Sequence, residues 1–125
     1  MNFRTRKLWL ILGWLLVLLV IFFSLAPISV PVPVEEGDKL AHVAAYAALM
    51  LWFANLYETL NWRRRLAIGF VALGIALEFV QSWTGYRAFE VADMAADAFG
   101  VAVGWALAPP RLPNFLRGIE NFVRS

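Results

Sequence analysis

The chain has no cysteine, so it can hold no disulfide framework, thiolate nucleophile or cysteine metal site. It has one histidine, His42, which excludes a histidine-rich metal site within a single copy. Charge is scarce: Asp, Glu, Lys and Arg make up 16% of residues, and the net charge is only +2. There is no glycine-rich phosphate loop, because Gly69 and Gly74 lie inside an apolar run. No nucleophile motif stands out either. What is abundant is apolar surface. Hydrophobic residues reach 62%, well above an ordinary soluble domain, and that excess points to a bilayer.

Residues 1–7 are basic, and Leu8 to Ala26 then runs without a charge for long enough to cross a bilayer core. A cleaved signal peptide competes with this reading, since Ser24-Leu25-Ala26 resembles a cleavage site. The run is long for a signal, and Pro27 follows the cut directly, so a first transmembrane helix is the better fit. Prolines between residues 27 and 33 favour an extended path ending in Glu35, Glu36 and Asp38. Further spans are expected at 39–57, 66–83 and 93–108, with a loop over 58–65 holding Arg63, Arg64 and Arg65. Pro109-Pro110 ends the fourth. The tail, 109–125, places Phe115, Leu116, Ile119, Phe122 and Val123 on one helical stripe, which suits a short helix on the inner membrane surface. A frayed tail is the plainer alternative.

The expected architecture is therefore an all-α, polytopic membrane protein: a four-transmembrane-helix bundle over residues 8–108 with both termini cytoplasmic. The side follows from charge. The N-terminus, the 58–65 loop and the tail hold Arg4, Arg6, Lys7, Arg63, Arg64, Arg65, Arg111, Arg117 and Arg124, and the positive-inside rule makes that side cytoplasmic. The run of three arginines reads as a topology signal rather than a nucleic-acid contact, because apolar spans flank it.

Acids inside membrane segments are costly and usually face a protein interior or a water-filled cavity. Here they fall at one depth. His42 lies about 6 Å into the second span from its outer end, Glu78 about 7 Å in from Trp83, and Asp97 about 6 Å past Asp93. Lys39, His42 and Tyr46 share a helix face at i, i+3, i+7. Three helices thus aim ionisable groups at one outer-leaflet pocket. His42, Glu78 and Asp97 are the candidate catalytic residues, and Asp38, Lys39, Tyr46, Gln81, Arg87 and Asp93 the candidate ligand contacts. Asp38, Glu78, Glu90, Asp93 and Asp97 outnumber Lys39 and Arg87, so a shared proton or a bound cation is expected to balance the site. Ala96, Gly100, Gly104 and Ala108 form a small-residue stripe that allows close helix packing, which suggests a central fourth span and a peripheral first.

Each of these residues has a plainer role available. Asp93 suits a helix N-terminus as a cap. Arg87 fits an ion pair or an interface anchor, and Lys39 can snorkel to the surface. His42 and Tyr46 can serve as interhelical hydrogen-bond glue. Glu78 in a structural role needs a cationic partner.

The order Asp38-Lys39-x-x-His42-x-x-x-Tyr46, then Glu78-x-x-Gln81, Arg87, and Asp93 followed by Gly100 and Gly104, resembles the VanZ-like family of small bacterial membrane proteins. The resemblance covers about residues 36–108. It departs at Asp97, where the family usually has asparagine. It implies a bacterial inner-membrane protein linked to low-level glycopeptide resistance, teicoplanin in particular, and implies no mechanism.

Three functional classes remain open. A binding or envelope-modifying protein would engage a lipid or lipid-linked glycan at the outer leaflet. An intramembrane enzyme would use His42 as acid or base with Glu78 or Asp97, and Arg87 against an anion. Alternatively, Asp38, His42, Glu78, Asp93 and Asp97 would suit a hard divalent cation. An ion-coupled or structural subunit would need oligomerisation or a membrane partner. Against a through-pathway, Asn55 is nearly alone among polar groups on the inner side. No cofactor can be read from the chain.

Overall fold

The computed structural model describes residues 3–25, 37–84, 91–109 and 111–124. Five helices follow one another: α1 (Phe3–Leu25), α2 (Gly37–Leu56), α3 (Leu60–Thr84), α4 (Val91–Leu107) and α5 (Phe115–Arg124). The path proposed for residues 27–36, Arg87, Glu90 and the side chain of Asp38 lie outside the described residues.

Helix boundaries follow local chemistry. From Leu8 to Leu25 there is no proline and a single glycine, Gly13, so nothing interrupts α1. Thr59 caps α3: its Oγ1 accepts from the Trp62 N–H at 3.4 Å, and its carbonyl accepts from the Arg63 N–H at 3.1 Å. The cap moves the start of α3 back to Leu60, so Arg63, Arg64 and Arg65 are helical rather than part of an eight-residue loop. Arginine is a good helix former, which makes the extension cheap. Asn114 caps α5 through Oδ1, which accepts from the Arg117 N–H at 3.1 Å.

The core is a stripe on α2: Tyr46, Leu49, Met50, Phe53 and Ala54, at the i, i+3, i+4 spacing of a helix face. Val17 of α1, Phe70 of α3 and Val101 of α4 pack against it. The small-residue stripe of α4 does bring backbones together. A Cβ on Gly100 would stand 2.5 Å from the Val43 carbonyl oxygen, and one on Gly104 2.5 Å from that of Ala47. Only hydrogen fits at those two positions.

α4 is central, as expected, and shares the centre with α2: the interface between these two helices is the most extensive in the bundle, and α4 packs on α3 as well. α4 brings Gly100 and Gly104 to that interface, whereas α2 supplies the large side chains that fill the core. α1 is peripheral as expected, with Ile11, Trp14, Leu15, Leu18 and Phe22 facing outward.

Three helices are long and apolar enough to cross a membrane: Arg4–Leu25, Lys39–Leu56 and Leu60–Trp83. At 17 residues α4 is about 25 Å long, against a hydrocarbon core of about 30 Å. The all-α architecture therefore holds, and the structure supports three crossings on length and composition. In α5 the expected apolar stripe is divided. Leu116 and Glu120 turn inward, while Ile119, Phe122 and Val123 are exposed. Docking of the helix start sets this rotation: the Asn114 amide donates to the Asn55 carbonyl at 2.9 Å, and the Phe115 ring meets Trp52 edge-on at 5.8 Å.

Candidate functional site where α2, α3 and α4 meet

The closeness of α2 and α4 sets the site. Backbones in contact at Gly100 and Val43 leave no room for the next polar residues to avoid each other. One turn along, Asp97 Oδ1 lies 2.7 Å from His42 Nδ1, a hydrogen bond that the carboxylate oxygen accepts from the imidazole. One turn further, Lys39 Nζ stands 3.6 Å from Asp93 Oδ1. Two parallel acid–base pairs thus link α2 to α4, each partner three or four residues from the next.

α3 completes the enclosure with a notch. A Cβ on Gly74 would lie 2.6 Å from Asp97 Oδ2, so the absence of a side chain there is what admits the carboxylate between the helices. Gly74, Glu78 and Gln81 occupy one face of α3 at i, i+4, i+7. Glu78 on that face is only 2% exposed. Gln81 is buried too, and its Nε2 donates to the Ser24 carbonyl at 2.5 Å, which ties α3 to the end of α1. Tyr46 is buried one turn below His42, its Cβ beside Gly100.

Of the residues singled out by spacing, His42 with Asp97 and Lys39 with Asp93 are thus in direct contact. Glu78 shares the buried α3 face beside Asp97, Tyr46 lies under the pair, and Gln81 has a structural bond. Among the described residues, no three His, Asp or Glu side chains are arranged to hold a metal ion. An imidazole held through Nδ1 by a carboxylate has its ring plane and tautomer set, which suits it to proton exchange or to oriented hydrogen bonding of a ligand.

The opposite end of the bundle holds a second polar cluster, which spacing did not reveal. Arg63 is buried there and donates to three carbonyls: Nε to Tyr57 at 3.0 Å, Nη2 to Ala54 at 2.8 Å and Nη1 to Pro109 at 2.8 Å. One guanidinium thus ties the end of α2 to the turn after α4, with a cation at both helix C-termini, where it is electrostatically favoured. Arg6 Nη1 donates to the Leu56 carbonyl at 2.5 Å. Asn55 is therefore not alone at this end, and the polar asymmetry of the sequence is weaker than it reads. A signal for Arg63 was present: the buried stripe of Leu77 and Phe70, stepped back by seven, lands on position 63.

Comparison with known proteins now bears on this geometry. The chain is 29% identical over 111 residues to an uncharacterized protein of Schizosaccharomyces pombe, covering 86% of this chain and 66% of the relative. It thus spans just under two thirds of that relative's length. No solved structure matches. The model of the VanZ/LLP1 family matches residues 7–116, from the basic start of α1 through α4 to the buried Leu116 of α5, so the chain belongs to the VanZ/LLP1 family.

Proposed function

We propose that this VanZ/LLP1-family protein is a bacterial inner-membrane protein that binds or modifies a lipid or lipid-linked glycan of the cell envelope at the outer leaflet. The membrane domain is 8–108, with α4 as a fourth crossing and both termini cytoplasmic, and 109–125 lies on the inner surface. The observation that carries the reading is the His42–Asp97 hydrogen bond at 2.7 Å, set in the Gly74 notch beside the Lys39–Asp93 pair. Buried acids and bases are expensive in a membrane segment and mark ligand or proton sites. The mixed signs suit a ligand with both an anionic group and hydroxyls, as a lipid-linked sugar phosphate has. Lys39 and Arg87 would meet the anion. Asp38, Asp93, Glu78, Tyr46 and Gln81 would order the polar groups around it. Altered sensitivity to a glycopeptide such as teicoplanin is the phenotype such a role would produce.

The test is ligand retention. Wild-type protein and the His42→Ala, Asp97→Ala and Glu78→Gln variants, each in nanodiscs, are exposed to extracted envelope lipids and examined by native mass spectrometry. The proposal expects one lipid-linked species retained by wild type and lost at least tenfold in the variants. Equal retention by all four proteins overturns it.

A second reading is favoured by the same bond. With Asp97 orienting the imidazole, His42 could act as general base or acid on the bound ligand, with Glu78 as the second proton carrier and Arg87 stabilising an anion. Product appearing with wild type but not with His42→Ala, at unchanged ligand binding, would separate catalysis from binding.

A further inference from the structure

A second site lies away from the acid–base pairs. A cleft of about 510 Å³ opens between α1 and α3 over the face of α2. That volume falls within the range of roughly 300–1,000 Å³ typical of small-molecule sites. Its walls are apolar: Trp14 and Ile21 on one side, Phe70 and Leu73 on the other, with Phe53 as the floor. Gly69 deepens it, since a Cβ at that position would meet nothing within 4 Å.

The end of the cleft is basic. Tyr57, Trp62 and Arg65 line it there. The Arg65 guanidinium stacks over the Trp62 ring at 5.2 Å from its centroid, and Arg6 lies 4.8 Å over Tyr57. Among the described residues, Arg65 has no carboxylate partner. From Arg65 to Leu73 the cleft runs about 12 Å along α3, which matches an extended hydrocarbon segment lying beside the helix. An apolar slot parallel to a long apolar helix, ending in a cation held on an aromatic ring, has the chemistry of a phospholipid site.

We infer that this cleft holds one acyl chain of an anionic phospholipid, with the headgroup phosphate on Arg65. The site is independent of the His42–Asp97 cluster, which lies toward the other end of the bundle. Its occupant is drawn from the leaflet that the basic end touches. Charge complementarity selects the anionic class, because a zwitterionic headgroup offers Arg65 no net charge.

The experiment uses full-length protein in vesicles of phosphatidylglycerol and phosphatidylcholine in equal parts, extracted gently and examined by native mass spectrometry. Wild type is expected to retain phosphatidylglycerol in preference to phosphatidylcholine. Arg65→Gln is expected to lower that preference about fivefold, the effect of one basic residue near an anionic surface. Gly69→Leu, which fills the cleft from an open position, is expected to abolish retention of both lipids. Both positions are exposed, so the variants keep the fold, which an unchanged melting temperature checks. Retention without lipid preference, or retention unchanged in both variants, overturns the site. A dimer in wild type that Gly69→Leu disperses would show a second copy of the chain in the cleft and overturn it as well.

Discussion

At the scale of single residues, the site depends on Gly74 and Asp97 occupying the same space. A methyl at position 74 would displace the Asp97 carboxylate, which has α2 on its other side. Gly74→Ala is expected to lower stability by about 1–3 kcal/mol, the usual penalty of overpacking. Gly69→Ala, nearly a turn and a half away but facing open space, is expected to stabilise by about 0.4–1 kcal/mol through the unfolded chain. Thermal unfolding in one detergent compares the two, and the opposite order would show that the notch is not packed. Asp97 itself allows a finer cut. Asp97→Asn keeps an acceptor for His42 Nδ1 and is expected to fold nearly as wild type. Asp97→Ala leaves a largely buried imidazole without it and should lose about 1.5–3 kcal/mol. Equal melting temperatures for these two variants would mean that the bond contributes little to the fold.

At the scale of helices, Arg63 separates from its neighbours. It makes three hydrogen bonds to carbonyls of two segments, whereas Arg64 and Arg65 are exposed. Arg63→Ala is expected to give the largest loss of the three alanine variants. Arg64→Ala and Arg65→Ala should stay within about 0.5 kcal/mol of wild type. Lysine should not rescue position 63, because a point ammonium cannot span three carbonyls as a planar fork does. A rescue by Arg63→Lys, read from detergent melting curves, would assign the role to charge alone. This contrast also marks how far the chain was legible from its residues. The common depth of His42, Glu78 and Asp97 could be read, because the helical rise sets depth once a span's end is known, but spacing left Glu78 and Asp97 as equal partners for His42. The Gly74 notch could not, since a glycine in an apolar run does not show which side chain it faces. Three consecutive arginines look alike as letters, and only the phase of α3 turns the first one inward. The start of α3 shifted for a similar reason: one hydroxyl, that of Thr59, outweighed the polar appearance of the segment. In α5 the apolar stripe was visible, but its rotation follows from Asn114 docking on Asn55, a contact 59 positions apart in the chain.

At the scale of the whole molecule, the open question is how the bundle sits in the bilayer, and the absence of cysteine makes it tractable. Single cysteines can be introduced without removing any native thiol. Arg64 and Trp83 stand at opposite ends of α3, 19 residues and about 28 Å apart, and Trp83 is 78% exposed. Leu112, exposed in the turn beyond α4, reports on the fourth crossing. If the basic end is cytoplasmic, a membrane-impermeant maleimide should label Trp83→Cys in intact cells, and label Arg64→Cys only after permeabilisation. With α4 crossing, Leu112→Cys should behave like Arg64→Cys. Arg63 holds Pro109 and Tyr57 at once, which keeps position 112 near the start of α3 and makes matching labelling of the two positions the expected result. Labelling of Leu112→Cys together with Trp83→Cys would contradict those bonds. Labelling of Arg64→Cys alone in intact cells would turn the bundle over, place His42 and Asp97 toward the cytoplasm, and remove an outer-leaflet ligand from consideration.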